Sequence, residues 1–457
     1  MRTNLHNIKG SKVLVVGLGK SGTATCQMLV DMGAHVSVQD NRKETDFDRN
    51  FIEYLRGRGV DFYFDTLPSE LGDYDMMVLS PGVSSELFFV EEAKEKGVEV
   101  IGELEIAFRV GKGHYVAITG TNGKTTTTSL VGEIFNLSGR KTYVVGNIGT
   151  AATLDANQHD ADDWLITEAS SFQLETIKYF KPVVSAILNI TPDHLNRHHT
   201  MEAYCAAKAR VFENQTADGF LIINYDDKQC FGLAKGCKAR VVPFSRKEEL
   251  DFGVFLRGDE IIIKTDDEEI PIFKTGELRI IGDHNVENAL AAVGICYFSG
   301  ISPDVIARGL KEFDGVAHRI EFCDRVDGVD YYNDSKGTNT DATITALKAF
   351  DGGIVLIAGG DGKGQEFHEL AKEFNGKVKA LVLLGKDGKR IGDAAEAEGF
   401  SNIHYCGDMQ ECVNKAHELA EKGDTVLLSP ACASWDMYDN FEQRGDHFKA
   451  CVRTLSR

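Results

Sequence analysis

Short apolar runs, separated by glycine-bearing turns and helix-period stretches, recur along the whole chain. The first set is Val13-Leu14-Val15-Val16, His35 to Val38, Phe62-Tyr63-Phe64 and Met76 to Leu79. Continuous runs of this kind, rather than strict alternation, are what parallel strands buried on both faces look like. A second set follows at Tyr115 to Ile118, Trp164-Leu165-Ile166, Val183 to Asn189 and Phe220 to Asn224. A third lies at Ile354 to Ala358, Ala380 to Leu384, Ile403 to Tyr405 and Thr425 to Leu428. The pattern predicts an α/β chain of three units, over residues 1–110, 111–315 and 316–457. One stretch breaks the rhythm. Gly253 to Phe273 alternates around Gly258-Asp259 and again around Asp266-Asp267, which predicts a small antiparallel insertion in the central unit.

Composition narrows the classes. With 42 % apolar residues the chain suits a soluble globular protein, and its 457 residues fit about three domains of ordinary size. The formal net charge of −20 argues against a nucleic-acid or anionic-membrane partner. No apolar run approaches the roughly 18 residues of a membrane span, and no apolar leader precedes Val13, so a cytoplasmic location is expected. The ten cysteines form no CxxC pair. Neither a zinc site nor a disulfide framework is expected.

Candidate chemistry gathers at predicted strand ends. TGTNGKTTT, Thr119 to Thr127, follows a strand and precedes a helix. Such a turn aims backbone N–H groups and a helix N-terminus at one point, with Lys124 adding charge and Thr125 a hydroxyl suited to Mg²⁺. It reads as a P-loop-like phosphate cradle, although Ile118 stands where the usual motif has its first glycine. Gly17-Leu18-Gly19-Lys20-Ser21-Gly22, with Asp40 closing the second strand, is a Rossmann-like GxGxxG turn, which does not say which nucleotide it holds. Glu168 ends the strand Trp164-Leu165-Ile166, and Asp193 and His194 follow the next one. Lys208, on a helix, reads locally as a solvated surface charge. Arg319 could grip phosphate as a fork, and Asp334 could accept ribose hydroxyls.

In chain order, TGTNGKTTT, EASSFQL, TPDHLNRH, Ala206 to Arg210, GDHNVENALAA, AHRIE and NDSKGTN resemble the marks of the Mur ligases. These are ATP-dependent amino-acid-adding enzymes of peptidoglycan precursor synthesis, and the resemblance spans essentially the whole chain. The string Ser429 to Asp436, continuing through Asn440 to Gly445, is similar to the D-glutamate-adding branch. The DNPR string of the diaminopimelate-adding branch is absent.

The resemblance implies a Rossmann-like first unit, a central P-loop ATPase-like sheet and a Rossmann-like third unit. It implies that ATP is held by Gly120, Thr121, Asn122, Gly123, Lys124, Thr125 and Thr126 together with Asn285, Asn288, Arg319 and Asp334. Two Mg²⁺ ions are expected, on Thr125, Glu168, His194 and Lys208, the lysine carrying a CO₂-derived carbamate. Lys124, Glu168, His194 and Lys208 are the expected catalytic set. The UDP-N-acetylmuramoyl-L-alanine substrate is expected to meet Leu18, Lys20, Ser21, Asp40, Arg42, Ser80, Pro81, Gly82, Asn147, Ser170 and Gln173. D-Glutamate is expected to meet Lys336, Thr338, Lys363, Ser434 and Phe441, and the chain is expected to act as a monomer. The rivals are a Mur-type ligase for another amino acid and a nucleotide-binding regulator without chemistry.

Overall fold

The computed structural model describes residues 8–455, so the outermost residues of the expected 1–110 and 316–457 units lie outside it. Three sheets account for the apolar runs. The first holds β1 (Lys12–Val16), β2 (His35–Asp40), β3 (Asp61–Phe64), β4 (Met76–Leu79) and β5 (Glu99–Gly102), in the order β3-β2-β1-β4-β5. All its pairings are parallel. The chain reverses direction across the sheet between β1 and β4, which opens a crevice at their C-terminal ends. Both the Gly17 turn and the Ser80-Pro81-Gly82 turn emerge there.

The central sheet holds β6 (His114–Thr119), β7 (Thr142–Gly146), β8 (Trp164–Glu168), β9 (Val184–Ile187), β10 (Phe220–Asn224), β11 (Arg240–Ser245), β12 (Gly253–Arg257), β13 (Glu260–Lys264) and β14 (Glu269–Lys274). Its order is β14-β13-β12-β11-β10-β9-β6-β8-β7. The antiparallel strands do fall where the alternation placed them. They join the main sheet, because β12 pairs parallel with β11, so the hairpins extend its edge. Strand β11 went unpredicted because Pro243 lies within it, and proline lacks a ladder donor. Pairing with β12 begins only at Phe244, so the proline falls at the end of that ladder.

The third sheet holds β15 (Glu321–Val326), β16 (Val329–Asn333), β17 (Ile354–Gly359), β18 (Val378–Leu384), β19 (Ile403–Tyr405) and β20 (Thr425–Leu428), ordered β15-β16-β20-β17-β18-β19. A β15–β16 hairpin edges an otherwise parallel sheet.

The chain forms two compact units. The first runs to Glu277 and takes in Glu287–Lys311; the second is Leu278–Val286 with the residues from Glu312 onward. Within the first unit two sheets share one body, joined by the helix Glu103–Val110. Phe108, Tyr115 and Phe180 pack edge to face at 5.4–5.5 Å. Fully buried Glu105 accepts the N–H groups of Lys178, Tyr179 and Phe180 while pairing with Arg109 at 2.7 Å. Among the described residues no helix is long and apolar enough to cross a membrane, and all ten cysteines are free thiols.

Candidate functional site

The phosphate turn leaves β6 at the centre of its sheet. Gly120 has φ 150° and Gly123 φ 82°, and Gly123 opens the helix Lys124–Leu137. A Cβ on Gly123 would stand 2.2 Å from Asn288 Oδ1, so glycine is required there twice over, by conformation and by space. Asn189, at the end of the adjoining strand, clamps the turn: its Oδ1 accepts the Asn122 N–H at 2.8 Å and its Nδ2 donates to the Asn122 carbonyl at 3.1 Å. Thr121 Oγ1 lies 3.1 Å from Tyr204 Oη. Thr125 and Thr126 are buried in a helix turn that holds no acidic residue, so its positive end is left for an anion.

Strands β8 and β9 flank β6, with Ile118 paired to Glu168 and Thr119 to Ile187. The pairing delivers Glu168 beside the phosphate turn. Its Oε1 accepts Asn147 Nδ2 at 2.7 Å, while Oε2 is buried without a hydrogen-bond partner. A buried carboxylate oxygen left unpaired costs more than an ordinary hydrogen bond returns, and a hard cation is the ligand that suits it. Lys208 is not the surface charge its local sequence suggests. It is 2 % exposed, and its Nζ donates to the Gly120 carbonyl at 2.8 Å. Lys124 Nζ donates to the same carbonyl at 3.0 Å and to that of Thr121 at 2.8 Å. Burial, then the nearby positive charge of Lys124, pushes the Lys208 amine well below the usual ammonium range.

His194 is half-exposed in a left-handed conformation (φ 53°), with its ring 4.8 Å from Phe172 and Nε2 3.4 Å from Asp193. The structure gives it no direct bond to Glu168 or Lys208. Among the described residues no three His, Cys, Asp or Glu side chains gather as a metal cluster. The buried Oε2 of Glu168 is an oxygen donor suited to a hard cation, and Thr125 carries its hydroxyl on the first turn of the helix that follows the phosphate turn. Ser170 caps the short helix Ser171–Leu174 in a capping box with Gln173.

At the crevice of the first sheet, Asp40 accepts the Leu18 N–H at 2.7 Å and the Arg42 guanidinium at 2.9 and 3.0 Å. Burial opposes its charge, but the Arg42 fork and the Leu18 and Arg42 N–H groups hold the carboxyl below its usual range. Ser80 Oγ donates to the Gly17 carbonyl at 2.8 Å, and a Cβ on Gly22 would stand 1.8 Å from that oxygen. Lys20 and Ser21 open the helix Lys20–Asp31.

In the second compact unit, β16, β20 and β17 lie side by side, so residues 334–338, 429–435 and 360–363 emerge together. Arg444, which is 2 % exposed, donates to Ser335 Oγ at 3.0 Å, the Ser335 carbonyl at 2.9 Å and the Cys432 carbonyl at 3.1 Å. Ser335 Oγ in turn donates to the Phe441 carbonyl at 2.8 Å. On the loops around this post, Lys336 Nζ lies 5.8 Å from the Phe441 ring, Ser434 is buried, and Lys363 (φ 50°) holds its ammonium 4.2 Å from the Trp435 ring. Thr338 closes the Lys336 loop through a 2.9 Å backbone bond. Arg444 falls within the Asn440 to Gly445 string, whose pattern alone assigns it no role. A cation in an otherwise apolar-spaced C-terminal helix was the available signal. Asn285 Nδ2 donates to the Ile281 carbonyl at 2.7 Å, and Arg319 Nε is buried without a partner.

Asp334 accepts Ser429 Oγ at 2.7 Å, and burial, only partly offset by Arg319 and Ser429, raises its carboxyl to about 6. Between about pH 4 and 6 the folded state therefore holds a proton that the unfolded chain has lost, and stability falls as pH rises through that window. The change is up to about 3 kcal/mol. Thermal unfolding of Asp334→Asn against the parent should show this slope removed.

Comparisons with known proteins agree along the chain. Residues 11–102 match the family model described as Mur ligase MurD-like, N-terminal domain; residues 118–296 match Mur ligase middle domain, and residues 318–432 match Mur ligase, glutamate ligase domain. The UDP-N-acetylmuramoylalanine–D-glutamate ligase of Thermoanaerobacter sp. (strain X514) is 50 % identical over 453 residues, covering 98 % of this chain and 100 % of that one. The Clostridioides difficile (strain 630) protein of the same name is 47 % identical over 451 residues, with 98 % and 100 % covered. Among solved structures, UDP-N-acetylmuramate-alanine ligase MurC from Thermotoga maritima shares the fold at TM-score 0.60 and 21 % identity, over 98 % of this chain and 100 % of that one. MurF from Acinetobacter baumannii does so at TM-score 0.61 and 16 % identity, over 97 % and 93 %. With all three domain models matched in order and half the residues identical to full-length relatives, the chain belongs to the Mur ligase family.

Proposed function

We infer that this chain is an ATP-dependent ligase that joins D-glutamate to UDP-N-acetylmuramoyl-L-alanine in peptidoglycan precursor synthesis. The names of its full-length relatives support the substrate pair, and the unpaired buried oxygen of Glu168 beside the phosphate turn carries the reading as a working enzyme. A regulator without chemistry has no use for that oxygen.

A carboxylate resists an amine because oxide is its leaving group. The alanyl carboxylate oxygen attacks the γ-phosphorus of ATP, the bond to ADP breaks, and an acyl phosphate results. The neutral amine of D-glutamate then adds to the acyl carbon and gives up one proton, which leaves with the phosphate as the amide forms, and that phosphate carries the original carboxylate oxygen. The first step brings two anions together. Lys124, the Gly120–Thr126 backbone and the helix N-terminus offset that repulsion. Bound Mg²⁺ supplies further charge neutralisation, and Thr125, Glu168 and His194 are the residues that would hold it.

Lys208 completes this set when its amine adds to CO₂, giving a carbamate and a proton. A neutral amine is the form that reacts, and burial beside Lys124 favours that form. The product replaces repulsion between two lysines by attraction and adds oxygen ligands for a hard cation. Asn288, packed against Gly123 of the phosphate turn, is assigned to ATP with it, and Asn285, Arg319 and Asp334 are the residues of the second unit proposed for the nucleotide. Lys336 and Lys363, with Thr338, Ser434 and Phe441, match the two carboxylates of D-glutamate. The UDP portion occupies the first-sheet crevice, and Asn147, Ser170 and Gln173 line the path of the muramoyl-alanine arm. The enzyme works as a monomer in the cytoplasm.

Asp40 organises that crevice without touching the reacting atoms. Asp40→Asn should therefore raise KM for the UDP substrate about tenfold, the worth of one charge-assisted hydrogen bond, with kcat nearly unchanged in initial-rate assays. The function itself is tested by phosphate release with Mg²⁺, ATP and UDP-N-acetylmuramoyl-L-alanine in the presence of D-glutamate, L-glutamate or L-alanine. Release should depend on D-glutamate; release with another amino acid only would leave the ligase and reject its substrate.

A further inference from the structure

The segment that leaves β9 carries His194 and, three residues later, Arg197. The Arg197 side chain is mostly buried and spans two parts of the first compact unit. One terminal nitrogen donates to the Pro81 carbonyl at 3.3 Å, and the other to the Val83 carbonyl at 3.2 Å and to Glu175 Oε2 at 2.8 Å. The guanidinium also lies 4.1 Å from the centre of the Phe172 ring. That same ring packs against His194 at 4.8 Å and His198 at 5.6 Å. His198 is buried, with Nε2 2.9 Å from Ser171 Oγ and Nδ1 3.3 Å from Glu175.

Pro81 belongs to the turn after β4, in the crevice assigned above to the UDP portion. His194 belongs to the loop assigned to the metal. We propose that Arg197 is a positioning residue that couples these two sites, so that substrate seated on the Ser80-Pro81-Gly82 turn fixes the loop bearing His194. The proposal rests on the function inferred above. Its geometry needs arginine: two carbonyls two residues apart and a carboxylate are held at once by one planar fork, which a lysine ammonium on a flexible stem does not reproduce. The half-exposed His194 ring rests on Phe172 at 4.8 Å, the same ring that the Arg197 guanidinium covers at 4.1 Å, with Asp193 3.4 Å from Nε2. Linkage makes the effect reciprocal: whatever orders the loop tightens the UDP site by the same factor.

Calorimetric titration with UDP-N-acetylmuramoyl-L-alanine, with and without Mg²⁺ plus a non-hydrolysable ATP analogue, reads this coupling directly. The parent protein should bind the UDP substrate at least about fivefold more tightly when Mg²⁺ and the analogue are present. In Arg197→Lys and Arg197→Gln, confirmed folded by circular dichroism, the two affinities should agree within about twofold. His199→Ala, which removes only an exposed contact to Glu86, should keep the parent factor. A variant that binds more weakly overall yet keeps the full factor would reduce Arg197 to a structural brace and overturn the proposal, as would a parent protein with no factor. A parent protein that does not bind the UDP substrate at all would instead overturn the inferred function, and the coupling with it.

Discussion

Lys208→Ala is expected to abolish nearly all turnover, by about a thousandfold or more in kcat, while leaving the fold intact. The magnitude follows from losing a charge-stabilising group at the site of phosphoryl transfer. Some stability is lost with the buried stem and its bond to the Gly120 carbonyl, so circular dichroism and thermal unfolding accompany the rate measurement. The substitution leaves a space next to the Gly120 carbonyl, open to a small anion in place of the carbamate proposed above. Formate or acetate should therefore restore a measurable part of the activity, and Lys208→Arg, which keeps a cation and cannot add CO₂, should not respond. Steady-state rates with and without the added acids check this. An Ala variant with near-parent activity would remove Lys208 from the machinery.

Glu168→Gln is expected to lower kcat by about a hundredfold to a thousandfold and to raise the Mg²⁺ concentration needed for half-maximal rate by at least about tenfold. The substitution nearly preserves shape. The glutamine oxygen can still accept from Asn147, as Oε1 does at 2.7 Å, while an amide NH₂ replaces the buried oxygen that has no partner. A donor placed where a cation should bind repels it. Magnesium titrations of initial rate distinguish this from a simple packing defect, which would lower the rate at every Mg²⁺ concentration alike.

Strand ends were the legible part of this molecule. Buried parallel strands announce themselves as short apolar runs, and residues at their C-terminal ends, Asp40 and Glu168, or just beyond them, Ser80 and Asp334, are the ones expected at the candidate sites. Lys208 was not legible from its own helix. Its burial comes from the turn after β6, 88 residues earlier, and no local pattern reports that contact. Asn189 was hidden for a similar reason: it looks like the polar end of a strand until Asn122 is placed against it. Arg197 and Arg444 join segments distant in sequence, and the side chains that satisfy them appear only once the sheets are ordered. Strand β11 was masked by Pro243, whose cost depends on which side of the ladder is paired. Motif spacing thus located the chemistry, while the supports around it required tertiary contacts.

The most direct test of the account follows the oxygen atoms. With UDP-N-acetylmuramoyl-L-alanine labelled by ¹⁸O in its alanyl carboxylate, phosphate released in the presence of ATP, Mg²⁺ and D-glutamate is analysed by mass spectrometry. Transfer through an acyl phosphate predicts that phosphate forms in step with the amide and carries one ¹⁸O. Unlabelled phosphate, or release that ignores D-glutamate, would contradict it.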